Sequence, residues 1–229
     1  MSELIVTRGL TKAFPRHKGA RTVVKKIAHL TWMREFVPVF EGVNFRLKAG
    51  ESVALLGPNG CGKSTFLRCL AGVIAPTAGE IFHRGKTVAL LSHGFGNYDE
   101  LAVWQSIVLA QQLFGASLAE AKKNIEQVGA FAGIEDRLKD PSSQLSEGMR
   151  AKISLSALAF AEFDVALLDE SLNHVDADFR QQYLELTRKW IREGRSLILT
   201  SHDEQLPLRF ANRLLRIENK KLTPASRTS

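Results

Sequence analysis

The stretch Gly57 to Thr65, reading GPNGCGKST, constrains this chain more than any other. It fits the pattern G-x-x-x-x-G-K-[ST], with Gly57, Gly62, Lys63 and Ser64 at the fixed places. The residues before it, Ser52 to Leu56 (SVALL), read as a short buried strand. Those after it, Lys63 to Ala71, read as a helix with Phe66, Leu67 and Leu70 on one face. A strand, a glycine-bearing loop and a helix in that order form a phosphate cradle. The glycines let several backbone N–H groups point at one phosphate chain, and the helix N-terminus adds its positive dipole end. The binding loop therefore comprises Gly57, Pro58, Asn59, Gly60, Cys61, Gly62, Lys63, Ser64 and Thr65. Lys63 is expected to reach the β- and γ-phosphates, the Ser64 hydroxyl to ligate Mg²⁺, and Thr65 to bond the α-phosphate. The competing interpretation, a glycine-rich turn before a helix, does not account for Lys and Ser both being in place. A nucleoside triphosphate is the expected ligand.

The whole chain sets looser bounds. Its 229 residues suit one α/β domain with a real core. No apolar run approaches the ~20 residues a membrane helix needs, and no secretory signal opens the chain. The two cysteines, Cys61 in the loop and Cys69 on the helix after it, make no disulfide framework, so the cytosol is the expected compartment. The formal charge is +7, with Arg8, Lys12, Arg16, Lys18, Arg21, Lys25 and Lys26 dense near the N-terminus. Nucleic acid, the anionic inner leaflet of a membrane and a merely solvated face all fit that run.

Along the chain, Leu4 to Thr7 predicts a first strand and Arg16 to Ala20 a loop. Arg21 to Phe36 places Val23, Val24, Ile27, Leu30, Met33 and Phe36 near helical spacing, which predicts an amphipathic helix. Packing on the domain's own sheet and facing a membrane or partner both satisfy that pattern. A strand follows at Val39 to Leu47. Short strands are expected at Glu80 to Phe82 and Val88 to Leu91, with a glycine-bearing loop from Ser92 to Glu100. Helices are expected at Val103 to Phe114, at Ser117 to Ala130 with Ser117 and Glu120 closing a capping box, and from Ser146 onward. The middle of the chain, about 95–161, is thus a helical insertion. The α/β core resumes at Val165 to Glu170, with a helix at Ala177 to Arg192, strands at Ser196 to Thr200 and Arg213 to Ile217, and a loose tail from Pro224.

An apolar strand running into Asp169 is where a P-loop NTPase places its Mg²⁺-side carboxylate, and Glu170 follows in position to orient or deprotonate an attacking water. Adjacent acids ending a buried strand call for a charge to meet, because unpaired burial is costly. Upstream, Leu145 to Arg150 reads LSEGMR at the start of a helix. Downstream, Ser201-His202-Asp203 ends a strand. A P-loop, an LSxGx helix start, an acidic strand end and a terminal His in that order resemble the ATP-binding cassette (ABC) ATPases over nearly the whole chain. The resemblance implies an α/β fold of that P-loop type, a mixed sheet core carrying the helical subdomain. It further implies that Ser146 and Gly148 bind the γ-phosphate held by a second copy's P-loop. Glu170 would be the catalytic carboxylate, His202 the γ-phosphate sensor, and Leu172 to Asp176 the loop at the dimer interface. Phe14 sits where the family has an adenine-stacking aromatic; a core or turn phenylalanine is the alternative.

Departures from the family pattern point to a branch. The signature is LSEGMRAK rather than LSGGQ, Ser171 replaces the usual Pro, and Ser92-His93 stand where a glutamine contacts Mg²⁺ and the permease, which assigns that position to His93. Together with ALLSHGFGNYDEL and the extra segment at 21–36, these features look like the ATPases of bacterial polysaccharide export. The chain length fits the capsule type better than the longer O-antigen type. The resemblance implies a homodimer beneath two copies of a separate multi-span permease, peripheral on the cytoplasmic face of the inner membrane. The 21–36 segment would lie near the anionic membrane surface, and no nucleic acid partner is expected.

Overall fold

Three apolar runs, Ser52–Leu56, Val165–Asp169 and Ser196–Thr200, show no alternation, and each is buried along its whole length. Such runs belong to parallel strands covered on both faces. The computed structural model describes residues 2–16, 35–91, 96, 98–201 and 205–226. In chain order it contains β1 (Glu3–Pro15), β2 (Phe36–Lys48), β3 (Ser52–Leu56), α1 (Lys63–Leu70), β4 (Ala78–His83) and β5 (Thr87–Leu90). The helices α2 (Val103–Leu113), α3 (Leu118–Lys123), α4 (Ile125–Ala132) and α5 (Glu147–Ala159) follow. The chain closes with β6 (Val165–Asp169), α6 (Ala177–Arg192), β7 (Ser196–Thr200), α7 (Gln205–Phe210), β8 (Arg213–Glu218) and β9 (Lys221–Pro224).

The described strands form two sheets. One is antiparallel in the order β2-β1-β4; the other runs β5-β6-β7-β3-β8-β9, parallel except for the last pair. Because successive side chains on a strand face opposite ways, β6 sends Ala166 and Leu168 into one apolar cluster and Val165 and Leu167 into another. The first cluster joins the sheet to α2, α4, α5 and α6, so the helices between β5 and β6 share a core with the sheet. The second joins it to α1 and the antiparallel sheet. There the ring of Phe66 on α1 meets Phe40 and Phe45 of β2 edge-on, at 5.6 and 5.8 Å between centroids. That contact seats the helix which carries the phosphate loop. β3, β6 and β7 run parallel, so their carboxyl ends lie on one side of the sheet, where ligands of open α/β sheets bind.

The structure departs from the sequence expectations at several places. β1 continues through Pro15, and Phe36, expected to end a helix, opens β2 opposite Pro15. The rest of the 21–36 segment lies outside the described residues. The helix expected from Ser117 to Ala130 is two helices. Its capping box forms as expected, with Ser117 Oγ accepting from the Glu120 N–H and Glu120 Oε2 accepting from the Ser117 N–H. The break falls at Asn124, a weak helix former whose amide donates to Gln111 on α2 (3.0 Å) instead of capping α4. α7 and β9 were not expected. β9 turns back from β8 through Asn219 and Lys220, both with positive φ, and adds the antiparallel edge that makes the sheet mixed. Part of the basic N-terminal run is engaged internally: Arg8 lies over the Phe82 ring, Lys12 over Phe14, and Arg16 pairs with Glu35 at 3.1 Å.

Phe66→Ala is expected to cost about 3–5 kcal/mol, since it removes a ring that is 1% exposed from a packed core. Urea unfolding checks this; a loss under about 1 kcal/mol would mean that α1 is not seated by this contact.

Candidate functional site

The loop after β3 closes tightly onto β2. Gly62 caps α1 with φ 110, and a Cβ there would lie 2.4 Å from Val39 Cγ1, so both its conformation and its surroundings require glycine. Lys63 opens α1 and is 6% exposed, with Nζ donating to the carbonyls of Gly57 (2.7 Å) and Pro58 (3.1 Å). The ammonium thus lies across its own loop. Asn59, Gly60, Gly62, Lys63, Ser64 and Thr65 line a cavity of about 230 Å³, which Val39 and Glu170 also line. One cavity therefore brings together the phosphate loop and the carboxylate that the sequence assigns to water.

Asp169 reaches the loop from β6. Its Oδ1 accepts hydrogen bonds from Ser64 Oγ (3.0 Å) and from Thr200 Oγ1 (2.7 Å). Thr200 ends β7, the strand between β6 and β3, and pairs with Asp169 on one side and Leu55 on the other. Glu170 leaves the strand with φ 56, a left-handed conformation that costs an L-residue about 1–2 kcal/mol. Its N–H donates to both Thr200 O (3.2 Å) and Thr200 Oγ1 (3.1 Å). Thr200 was not singled out from the sequence. The available signal was a hydroxyl ending the otherwise apolar run SLILT, next to Ser201-His202. Val39 was also missed, since only the packing of β2 on the phosphate loop brings its side chain there.

The turn after Glu170 is tied on both sides. Ser171, standing where Pro was expected, is buried and donates to Leu90 O at the end of β5 (3.1 Å) and to Asp169 O (3.2 Å). Asn173 donates its N–H to Glu170 O (3.1 Å), and its Oδ1 accepts from Ser201 Oγ (2.7 Å). Asp176 caps α6 by accepting from the Phe179 N–H (2.9 Å) and pairs with Lys152 on α5. The Lys152 ammonium first, and then that N–H, hold the Asp176 carboxyl below its ordinary range.

Ser146 caps α5, its Oγ accepting from the Met149 N–H (3.2 Å). That bond uses a lone pair, so the hydroxyl proton is not consumed by the cap. A Cβ on Gly148 would lie 2.8 Å from His174 O, so this glycine permits the helix start to touch the 172–176 loop. Neither Ser146 nor Gly148 lines the cavity around Lys63. Phe14 is 40% exposed on β1, opposite Val37, which removes the core alternative for it; it does not line the cavity either. His93 and His202 lie outside the described residues. Among the described residues no group of three or more His, Cys, Asp and Glu side chains is arranged to hold a metal by itself. A hydroxyl and one carboxylate beside a phosphate cradle are the all-oxygen donors that suit Mg²⁺, which takes its remaining ligands from phosphate and water.

The family profile described as "ABC transporter" matches residues 40–173, more than half of the chain. An O-antigen export system ATP-binding protein of Klebsiella pneumoniae is 30% identical, covering 97% of this chain and 93% of that one. A second, from Yersinia enterocolitica, is 32% identical over 80% of this chain and 77% of its own length. Among solved structures, one titled as the ATP-binding subunit of an ABC transporter has the same fold, with a TM-score of 0.75 over 96% of this chain and 88% of that one at 22% identity.

Lys63→Ala is expected to weaken ATP binding by roughly 10–100-fold, the loss of one charge-assisted contact to phosphate. Titration calorimetry on the full chain reads the Kd directly, and an unchanged value would contradict the cradle.

Proposed function

The chain belongs to the ABC transporter family, as an ATPase, and from that premise we propose that it is the ATP-hydrolysing subunit of an exporter of cell-surface polysaccharide. The observation that carries the hydrolytic part is the single cavity lined by the phosphate loop and Glu170, with Asp169 bonded to Ser64 at its edge. The names of the relatives, O-antigen export proteins matched over most of both chains, support a glycan cargo. Capsular polysaccharide, expected from the sequence, is the finer form of the proposal, and the O-antigen type is the reading those names favour.

In the proposed reaction, the loop N–H groups and Lys63 hold the β- and γ-phosphates, Lys63 exchanging its two loop carbonyls for phosphate oxygens. Ser64 Oγ and Asp169 would hold Mg²⁺, with His93 as the third expected contact, and the ion would supply positive charge to the phosphate oxygens. Glu170 orients the attacking water and accepts its proton, and His202 contacts the γ-phosphate. Phe14 stacks on adenine from the exposed end of β1. Ser146 and Gly148 act on the nucleotide of a second copy. Ser146 is exposed and Gly148 half-buried at the start of α5, and neither lines its own chain's cavity, which supports a homodimer with ATP between the copies. Hydrolysis then releases the pair. In this reading residues 1–229 are one ABC ATPase domain with a helical subdomain at about 95–161.

No helix among the described residues is long and apolar enough to cross a membrane. In the proposed complex this chain lies peripherally on the cytoplasmic face of the inner membrane, against two copies of a separate permease.

Glu170→Gln is expected to retain ATP affinity while lowering kcat by about 100-fold or more. Steady turnover by that variant would remove Glu170 from its role. For the cargo, the tagged chain is purified from gently solubilised native membranes. A multi-span permease at equal stoichiometry that stimulates hydrolysis, encoded beside glycan-assembly enzymes, is the expected result. Recovery with nucleic acid and no permease would overturn the exporter reading.

A further inference from the structure

The two carboxylates at the end of β6 are not held by their own strand alone. Thr200 Oγ1 stands 2.7 Å from Asp169 Oδ1 and 3.1 Å from the Glu170 nitrogen. The Glu170 N–H can only donate, so Oγ1 accepts there, and the hydroxyl proton is committed to Asp169. One hydroxyl, 4% exposed, thus fixes the direction of both bonds without competition from solvent. It contacts the carboxylate of one residue and the main chain of the next, at the point where φ is 56. Asp169 Oδ1 also accepts from Ser64 Oγ. Ser64 is the group expected to turn to another partner when nucleotide and metal arrive, and Thr200 is the one whose hold on Asp169 persists.

We infer that Thr200 is a positioning residue for ATP hydrolysis, orienting Asp169 by its hydroxyl and aiming Glu170 by fixing the left-handed turn that carries it. It acts through those two residues and does not itself line the cavity. The inference rests on the ATPase reading of this site and deepens it. The aliphatic alternative at this position, valine, has nearly the same shape and suits a buried strand, but offers neither the donor nor the acceptor. With valine, Asp169 keeps Ser64 and the Glu170 N–H keeps the residue-200 carbonyl at 3.2 Å, so strand pairing has no reason to fail. What is lost is orientation, which appears in turnover rather than in binding.

The test uses the full chain, measuring kcat and KM for ATP together with the urea unfolding midpoint. Thr200→Val is expected to lower kcat about 10–100-fold, as loss of an outer partner of a ligating carboxylate does. The KM for ATP should stay within about threefold, because the phosphate loop is untouched. Thr200→Ser, which restores the hydroxyl without the methyl, is expected to return kcat to within about threefold of wild type. Should the valine variant fold poorly, Thr200→Ala carries the same comparison against serine. Wild-type kcat in a hydroxyl-free variant would overturn the inference. So would a serine variant as impaired as the valine one, since packing of the methyl would then be what matters. A wild-type chain that binds ATP but does not hydrolyse it would overturn the ATPase reading beneath it. An active wild type with an equally active Thr200→Val would sink the role of Thr200 alone.

Discussion

The double hydrogen bond at Asp169 Oδ1 is the contact on which the rest of the site depends. Ser64 arrives from the loop after β3, Thr200 from the end of β7, and the carboxylate from the end of β6. The segments are distant in sequence, and only the parallel order β6-β7-β3 brings their carboxyl ends side by side. A buried carboxylate needs such partners, because a charge taken out of water without them would shift the balance against folding. The same requirement leaves it facing the phosphate cradle, where a cation is the remaining natural partner.

That geometry is held from both faces of the sheet. On one face, Phe66 locks α1 against Phe40 and Phe45, so the antiparallel sheet acts as a backing plate for the phosphate loop. Val39 of the same strand reaches the cavity itself. On the other face, Tyr183, Trp190 and Phe163 pack edge to face beneath the helices between β5 and β6. β6 and β7 each send side chains into both clusters, which is why they read as unbroken apolar runs.

Much of this was legible in the sequence for a physical reason. The phosphate loop, the Asp169-Glu170 strand end and the Ser117 capping box are local patterns, with each chemistry carried by neighbours in the chain. The central strands were legible because burial on both faces leaves no room for polar residues. What was not legible depends on partners far away. Thr200 looked like the end of a strand until β6 was laid beside it. The break at Asn124 depends on Gln111 of another helix. β9 was hidden because its turn uses Asn219 and Lys220 rather than glycine, accepting two left-handed residues without a glycine to announce them. The exposure of Phe14, 40%, was likewise not legible, because spacing does not encode it.

The contact between the start of α5 and the 172–176 loop carries a mechanical consequence. Gly148 lets His174 O approach to a distance that a methyl group would block, Glu147 stands 3.5 Å from the His174 ring, and Lys152 pairs with Asp176. Three contacts along one helix turn and a half leave the loop little freedom to slide against the helix. The loop is in turn tethered to Glu170 through the Asn173 N–H. A tilt of α5 would therefore reach the main chain of Glu170, a residue held in the left-handed region at φ 56.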